Sequence, residues 1–286
     1  MAKQEYLNKL QMDLELRGRS QETVEEYRRY VGMFLDFFEK PPEEMGEPEI
    51  CEYLHHTLTV RKLNVNTVNV HNSALRFFYA VTLDKLINYK KIPRIKQIRR
   101  IPELLTKEEI GLILQTTPSL HHRAMFMLAY GSGLRLAEIV NLLVSDIDSK
   151  QMRIFIRKGK GDRDRYAILP QVTLEALRQY WKSCDPKPKD WLFVSPRTGE
   201  HATVRLLQDA FKTAVSRVGI TKKATIHTLR HCFATHLLNE GKSLVEIKKL
   251  LGHVRIDTTA WYVQLADSDL YKIKSPIDTM NEQDHE

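Results

Sequence analysis

Four residues in the second half of the chain have types and spacings suited to chemistry on a phosphodiester. His227 and Arg230 stand three residues apart, so on a helix they share one face. His253 follows Gly252, a residue type that commonly ends helices, and Tyr262 comes nine residues later. Arginine binds phosphate through two parallel charge-assisted hydrogen bonds and keeps its proton. Such residues could hold a phosphodiester, neutralise the charge that develops on it and attack it with a phenol oxygen.

A second arginine, Arg135, lies far upstream in the segment Gly131-Ser-Gly-Leu-Arg135-Leu-Ala-Glu138. Taken singly, Arg135 is more typical of a salt bridge with Glu138 on a helix surface. Taken singly, His253 is typical of a loop and Tyr262 of a packed aromatic residue. The order and spacing of all these residues together point to one site.

The chain resembles the tyrosine recombinase (phage integrase) family in four motifs. These are Gly-x-Gly-Leu-Arg135-x-x-Glu138, His227-x-x-Arg230-His-x-Phe-Ala-Thr-His236, Leu-Gly-His253 and Tyr262. The resemblance covers essentially the whole chain and is closest to the simple two-domain, Xer-type members. It implies a DNA strand transferase that cleaves and rejoins DNA through a 3′-phosphotyrosine intermediate and a Holliday junction. The covalent bond would store the phosphodiester energy, so neither ATP nor a metal is needed.

The resemblance implies a role for each matching residue. Arg135 and Arg230 would bind the non-bridging oxygens of the scissile phosphate, and His253 would donate a further hydrogen bond to it. His227 would help to manage the proton of the nucleophile, Tyr262. A free phenol has a pKa of about 10, and surrounding cations favour its ionised form and the five-coordinate transition state.

The leaving 5′ oxygen needs a proton, which in the family comes from a lysine on a hairpin turn. The matching segment is Lys158-Gly-Lys160-Gly-Asp-Arg163-Asp-Arg165. Lys160 aligns best, and its flanking glycines let the backbone approach DNA closely. Lys158 has the same strand parity and stays an alternative. Glu138 would support the site by orienting Arg135 or a neighbouring group.

Several histidines near these motifs raise the question of a metal site. His227 and His231 are four residues apart, but the Glu of a His-Glu-x-x-His motif and a nearby cysteine pair are missing. We therefore expect no metal and no other cofactor. Cys232, where the family usually has serine or threonine, is predicted to be a buried, inert thiol. The pairs His55-His56 and His121-His122 are predicted to be surface or capping residues.

The composition fits a DNA-binding protein that stays in the cytoplasm. The 286 residues carry a net charge of +8 and are 42% hydrophobic, and the pI is about 9.2. We see neither a signal-peptide core nor a stretch apolar enough to cross a bilayer. Three widely separated cysteines fit a reducing compartment. We expect a cytoplasmic, nucleoid-associated protein with no membrane partner.

The elements that would position the site are mostly helices. Before residue 100 the pattern predicts a helix after an N-cap at Ser20, one around 50–58, and one capped by Asn66. After residue 100, a capping box is predicted from Thr106 and Glu109, with Leu105 and Ile110 as its hydrophobic staple. The later helices are predicted around 125–130, 134–143, 174–181, 204–218, 228–239 and 244–250. A hairpin is predicted from strands 152–156 and 166–169, with a short strand at 191–194.

The predicted fold is therefore mainly α with a small β-sheet. An all-helical core-type DNA-binding domain would cover 1–92, a basic linker 93–103, and a mixed α+β catalytic domain of the DNA breaking-rejoining type 104–286. Residues 85–100 hold seven basic residues and no acid, which favours an extended linker. The resemblance implies a C-shaped clamp on DNA. It also implies a homotetramer on DNA, joined by an amphipathic tail after Tyr262.

Exposed basic side chains supply most of the non-specific affinity for a DNA backbone. Those predicted to contact DNA are Arg61, Lys62, Lys90, Lys91, Arg94, Lys96, Arg99, Arg100, Lys158, Arg163 and Arg165. A merely solvated face is the simpler alternative for the ones in the first domain. The expected partner is double-stranded DNA with short inverted-repeat core sites, and the need for a partner recombinase or accessory protein is left open.

Several functions share this chemistry. Mobile-element integration, excision, transposition or resolution is preferred, with Xer-type chromosome or plasmid dimer resolution as the alternative. A type IB topoisomerase-like enzyme would use the same residues without a partner site. A DNA-binding protein without catalysis is disfavoured by the intact set of residues. A metal-dependent nuclease or phosphatase would lose its activity with a chelator, whereas a recombinase would not.

Overall fold

The computed structural model describes residues 3–96, 103–159, 163–195 and 201–252. The chain separates into two compact units, Met1–Arg99 and Arg100–Glu286. The described residues are mostly helical and include one small antiparallel sheet, which confirms the predicted fold class. None of their helices is long and apolar enough to cross a bilayer. The domain boundaries at residues 92 and 103 stay predictions.

The described part of the first unit contains four α-helices. They are α1 (Lys3–Glu15), α2 (Gln21–Phe37), α3 (Glu47–Thr59) and α4 (Val65–Phe77), the last continued by a π-helical turn at Phe78–Thr82. Ser20 caps α2 as predicted, since its side chain accepts from the Thr23 N–H. The predicted cap at Asn66 is wrong. Asn64 has the extended backbone that a cap requires, and its Oδ1 accepts from the Thr67 N–H at 2.8 Å.

The segment 85–96 packs on the helices of the first unit. The prediction of an extended linker is therefore wrong over this stretch. Ile87 and Ile92 are buried in the same core as the helices. Asn69 of α4 fixes the backbone of Ile95 twice, with its Nδ2 donating to the Ile95 oxygen at 2.9 Å and its Oδ1 accepting from the Ile95 N–H at 3.0 Å. Isoleucines between the basic residues therefore order a segment that its charge alone made look extended.

The described part of the second unit contains seven helices. They are α5 (Lys107–Thr116), α6 (Leu120–Gly131), α7 (Leu136–Val140), α8 (Gln171–Ser183), α9 (Val204–Arg217), α10 (Ile226–Asn239) and α11 (Leu244–Leu251). The capping box of Thr106 and Glu109 is confirmed, with bonds of 2.7 and 3.2 Å. α7 is shorter than predicted. The Asp146 carboxylate accepts from the Leu143 N–H at 2.9 Å and begins a separate 3-10 turn at Val144–Asp146.

The sheet consists of three antiparallel strands in chain order, β1 (Ile147–Asp148), β2 (Arg153–Gly159) and β3 (Arg163–Ile168). The predicted hairpin is confirmed and is longer than expected, whereas β1 escaped prediction because it has only two residues. Ile154 pairs with Ala167 and Ile156 with Arg165. The predicted strand at 191–194 is wrong, since Trp191 and Val194 make only isolated bridges.

α6 lies at the centre of the second unit and packs against α8, α9 and α10. His121 near its start is buried in this core, which corrects its predicted surface position. Its ring meets the rings of Tyr180 and Phe193 edge-on, at centroid distances of 5.2 and 5.5 Å. Burial lowers the pKa of His121 to about 4, so the ring is neutral at neutral pH.

Candidate active site

A tight turn places Arg135 ahead of α7. Gly133 has φ +64°, and a Cβ at this position would lie 2.5 Å from the ring of Phe233 on α10. Both the backbone conformation and the lack of space therefore require glycine here. Arg135 then takes the N-cap position of α7, and its backbone N–H donates to Glu138 Oε2 at 2.8 Å. The turn thus brings the backbone of the first arginine against α10, the helix that carries the second.

One carboxylate, that of Glu138, faces three arginines. Its side chain is only 8% exposed. Oε1 accepts from Arg135 Nη1 at 2.7 Å, and Oε2 accepts from Arg165 Nη2 at 2.8 Å. Arg230 Nη1 stands 3.9 Å from Oε2. Three cations against one anion leave the cluster positive, which suits an anionic ligand such as a phosphodiester.

Arg230 is buried on α10 and is held by main-chain oxygens. Its Nη2 donates to the Leu251 oxygen at 2.8 Å, and its Nη1 donates to the Gly133 oxygen. A buried guanidinium is tolerated when hydrogen bonds replace its hydration. These bonds tie the glycine turn before Arg135 and the end of α11 to the same side chain.

The end of α11 lies against the cluster. Gly252 has φ +63° and closes α11 in the left-handed conformation, as predicted. Its oxygen is 3.5 Å from Arg135 Nη2, and a Cβ here would overlap with Nε and Cδ of Arg165. The residue that precedes His253 in the chain therefore contacts two of the three arginines.

His227 stands at the start of α10 and is exposed at the surface. Partial burial and the positive charges of Arg230 and Arg135 lower its pKa below the usual value. The ring is therefore neutral at neutral pH and able to accept a proton. One turn on, burial, together with the neighbouring His227 and Arg230, lowers the pKa of His231 to about 4. Within the described ranges, no group of three or more potential metal ligands is brought together.

The structure brings Arg135, Glu138 and Arg230 together, and His227 lies near enough for the charges of both arginines to lower its pKa. It also adds Arg165, which had been predicted only as a DNA contact. The sequence did carry a signal for it, because Arg165 stands two residues before the apolar Ala167 on β3, so the two share a face, and Ala167 is buried.

Other predicted residues fall outside what can be described. Lys160, His253, Tyr262, Arg99 and Arg100 lie outside the described residues, as does the tail. The side chains of Lys158 and Arg163 are likewise not described. The predicted DNA contacts of the first unit, Arg61, Lys62, Lys90, Lys91, Arg94 and Lys96, are all exposed. Their contact with DNA stays a prediction.

Cys232 is confirmed as a buried thiol. Its Sγ accepts from the Leu105 N–H at 3.3 Å and donates to the Leu105 oxygen at 3.5 Å. Burial raises its pKa to about 11, which disfavours the reactive thiolate. The cysteine thus makes the two hydrogen bonds that a serine hydroxyl would make at this position.

Comparison with known families gives two matches that together span most of the chain. Residues 103–269 match the phage integrase family. Residues 6–89 match the N-terminal SAM-like domain of phage integrases. The first match alone covers more than half of the 286 residues.

Individual relatives agree with this. A putative integrase/recombinase, y4qK, from Sinorhizobium fredii is 35% identical over 94% of this chain and 87% of its own length. The tyrosine recombinase XerA of Thermococcus onnurineus is 30% identical over 94% of this chain and 93% of its own. A crystal structure of XerA recombinase, also 30% identical, covers 99% of both chains with a TM-score of 0.54. A lambda integrase dimer bound to a COC′ core site shares the fold, with a TM-score of 0.73 at 19% identity over 91% of this chain and 94% of that one.

Proposed function

Because the chain belongs to the phage integrase family, we propose that it recombines DNA through a covalent phosphotyrosine formed at Tyr262. It is a tyrosine recombinase, its reaction is site-specific DNA recombination, and its substrate is DNA. The observation that carries the assignment of residues is the convergence of Arg135 and Arg230, from distant parts of the sequence, on one buried carboxylate.

In the proposed reaction the arginines bind the phosphate before any bond changes. Arg135 and Arg230 donate to the non-bridging oxygens of the scissile phosphate, and His253 adds a third donor. The phenol of Tyr262 gives its proton to His227, whose lowered pKa keeps the ring neutral and able to accept it. The phenolate oxygen then attacks phosphorus, and the bond from phosphorus to the 5′ oxygen breaks.

The leaving 5′ oxygen takes a proton from Lys160, with Lys158 as the alternative donor. The product is a 3′-phosphotyrosine and a free 5′ hydroxyl. Attack by the 5′ hydroxyl of the partner duplex reverses the same steps and joins the exchanged strands, by way of a Holliday junction. Because one phosphodiester replaces another, the proposed reaction needs neither ATP nor a metal.

The assembly is part of the proposal. We expect a homotetramer on paired inverted-repeat core sites, held by the tail after Tyr262. Deleting residues from about 268 onward is expected to impair recombination more than DNA binding. Unchanged recombination by the truncated protein would remove the tail from the proposal.

The biological role within this reaction is proposed as mobile-element integration, excision or resolution, in the cytoplasm. The integrase/recombinase of Sinorhizobium fredii supports this role by its name. Relatives named XerA fit dimer resolution equally well. Recombination between the DNA ends that flank the gene would support the mobile-element role. Recombination of a replicon-borne site, with no activity on those ends, would support dimer resolution.

The experiment that tests the chemistry is a suicide-substrate assay with EDTA present. Nicked duplexes from the flanks of the gene, and from replicon sites, are incubated with wild type and Tyr262→Phe. A covalent protein–DNA adduct that forms without metal and disappears in the variant is expected. An adduct that persists in Tyr262→Phe places the nucleophile elsewhere. Strand cleavage that leaves no adduct and is abolished by EDTA, in a parallel reaction with metal ions, would identify a metal-dependent nuclease.

A further inference from the structure

We propose that Arg165 is a positioning residue of the strand-transfer reaction, which keeps Glu138 from capturing the phosphate-binding Arg230. This inference rests on the proposed function, because it assigns Arg230 to the scissile phosphate. It replaces the DNA contact that the basic run 158–165 had suggested for Arg165.

The first support is the position of Arg165 on the sheet. It pairs with Ile156 across the hairpin and lies on the same face of β3 as Ala167, and both of these neighbours are buried. The Arg165 side chain is only 12% exposed. A cation on this face costs desolvation, and replacing a buried ion pair with apolar residues is often neutral or stabilising. Stability therefore gives little reason for an arginine at this position.

The second support is the direction of the guanidinium. Nη2 of Arg165 donates to Glu138 Oε2 at 2.8 Å, while Nε and Cδ lie against Gly252. Nε and Nη1 are buried, so the group is turned inward. A side chain held in this way is poorly placed for a DNA backbone that runs along the surface. It is well placed to control Glu138.

The third support is the competition for one oxygen. Glu138 Oε2 already accepts from Arg165 Nη2 and from the Arg135 backbone N–H, both at 2.8 Å, while Arg230 Nη1 stands 3.9 Å away. If Arg165 is removed, Oε2 loses its side-chain cation. A shift of about 1 Å would then bring Arg230 into a direct hydrogen bond with Glu138. That shift pulls Arg230 off the main-chain oxygens that fix its position.

The consequence is specific to chemistry. A displacement of this size in a group that neutralises a transition state is expected to slow cleavage by about ten- to hundredfold. DNA binding, which depends on many phosphate contacts, is expected to change by less than about threefold.

The first test compares Arg165→Met and Arg165→Lys with Arg153→Met, in the full chain, on the nicked duplex that wild type cleaves. Arg153 is a matched control because it also lies on the hairpin and pairs with an acid, Asp148, at 3.1 Å. We expect the ten- to hundredfold loss in Arg165→Met, a smaller loss in Arg165→Lys because it keeps the charge, and none in Arg153→Met. If only packing matters, the order of the Met and Lys variants is reversed, since methionine better suits a buried apolar face.

The second test uses a duplex with a neutral methylphosphonate at the scissile position. With one charged oxygen removed, the position of Arg230 matters less, so the deficit of Arg165→Met is expected to shrink to within about threefold. An equal deficit on both duplexes would mean a structural role only. A deficit explained wholly by weaker binding would restore the DNA contact.

The third test is the double variant that combines Arg165→Met with Glu138→Gln. A neutral glutamine attracts Arg230 far less, so Arg165→Met should add little to Glu138→Gln. Independent, multiplying losses would overturn the inference.

Thermal melting of each variant identifies any that fails to fold, and the Lys variant then carries the comparison. If wild type forms no adduct on any duplex, the proposed function fails, and this inference with it. An active wild type with a fully active Arg165→Met rejects this inference alone.

Discussion

Replacing Gly252 with alanine should disturb the site far more than an equivalent change elsewhere. Several glycines of the second unit follow helices in the left-handed conformation, among them Gly252 with φ +63° and Gly241 with φ +80°. A Cβ at Gly241 would meet nothing within 4 Å, whereas at Gly252 it would overlap with Nε and Cδ of Arg165. The two positions therefore share the backbone strain but differ in what the new methyl group displaces.

The magnitudes follow from these two contributions. The left-handed conformation costs an alanine about 1–2 kcal/mol, which is the whole expected loss in Gly241→Ala. In Gly252→Ala the side chain of Arg165 must also move from Glu138. Breaking a buried ion pair costs about 3–5 kcal/mol, and a displaced arginine that finds water recovers part of this. We expect Gly252→Ala to lose about 2 kcal/mol more than Gly241→Ala.

Thermal unfolding and cleavage of the nicked duplex measure the two effects. In a unit of this size 1 kcal/mol lowers the unfolding midpoint by about 2–4 °C, so the two variants should differ by about 4–8 °C. Cleavage should fall about ten- to hundredfold in Gly252→Ala and stay within about twofold of wild type in Gly241→Ala. Equal midpoints and equal cleavage in the two variants would refute the contact between Gly252 and Arg165.

Three further predictions concern single side chains. His121→Phe should reduce the stability lost between pH 7 and pH 5 by about 2 kcal/mol in urea unfolding. The folded pKa of about 4 lies below the unfolded value of 6.5, so the unfolded chain binds the proton first and stability falls as the pH drops. An unchanged loss would show that His121 is not the group involved. Cys232→Ser should keep full cleavage and change the unfolding free energy by less than about 1 kcal/mol, since a hydroxyl can make both bonds to Leu105; inactivity would give the thiol a role of its own. Thr106→Ala should lower the unfolding free energy by about 1 kcal/mol with cleavage unchanged, because it removes the cap of α5, and a stability equal to wild type would contradict this.

Local signals predicted much of the fold. The caps at Ser20, Thr106 and Gly252 each rest on a few adjacent residues, and each is present in the structure. The errors came where two adjacent candidates compete or where tertiary contacts decide. Asn64 and Asn66 are both good cap residues by type, and only the path of the chain selects the first. The segment 85–96 was judged by its charge, whereas its buried isoleucines determine where it lies.

The site was predicted in part for the same reason. Arg135, His227 and Arg230 stand in recognisable motifs, so their convergence could be expected from the resemblance. Arg165 lies among several basic residues whose composition indicates DNA, and composition does not reveal which side of a strand a residue faces. Its contact with Glu138 depends on how β2 and β3 pair. The strand ends predicted from the sequence differ from the observed ends by up to three residues at the hairpin connection.

The way in which Arg230 is held bears on how this enzyme could evolve or be redesigned. Two of its partners, the oxygens of Gly133 and Leu251, belong to the peptide backbone, so these hydrogen bonds do not depend on the side chain of a partner residue. Substitutions on the surrounding helices can therefore accumulate without removing these supports, provided the backbone keeps its path. A library that retargets the protein to new DNA can vary surface side chains widely. It should leave the glycine turn and the end of α11 untouched.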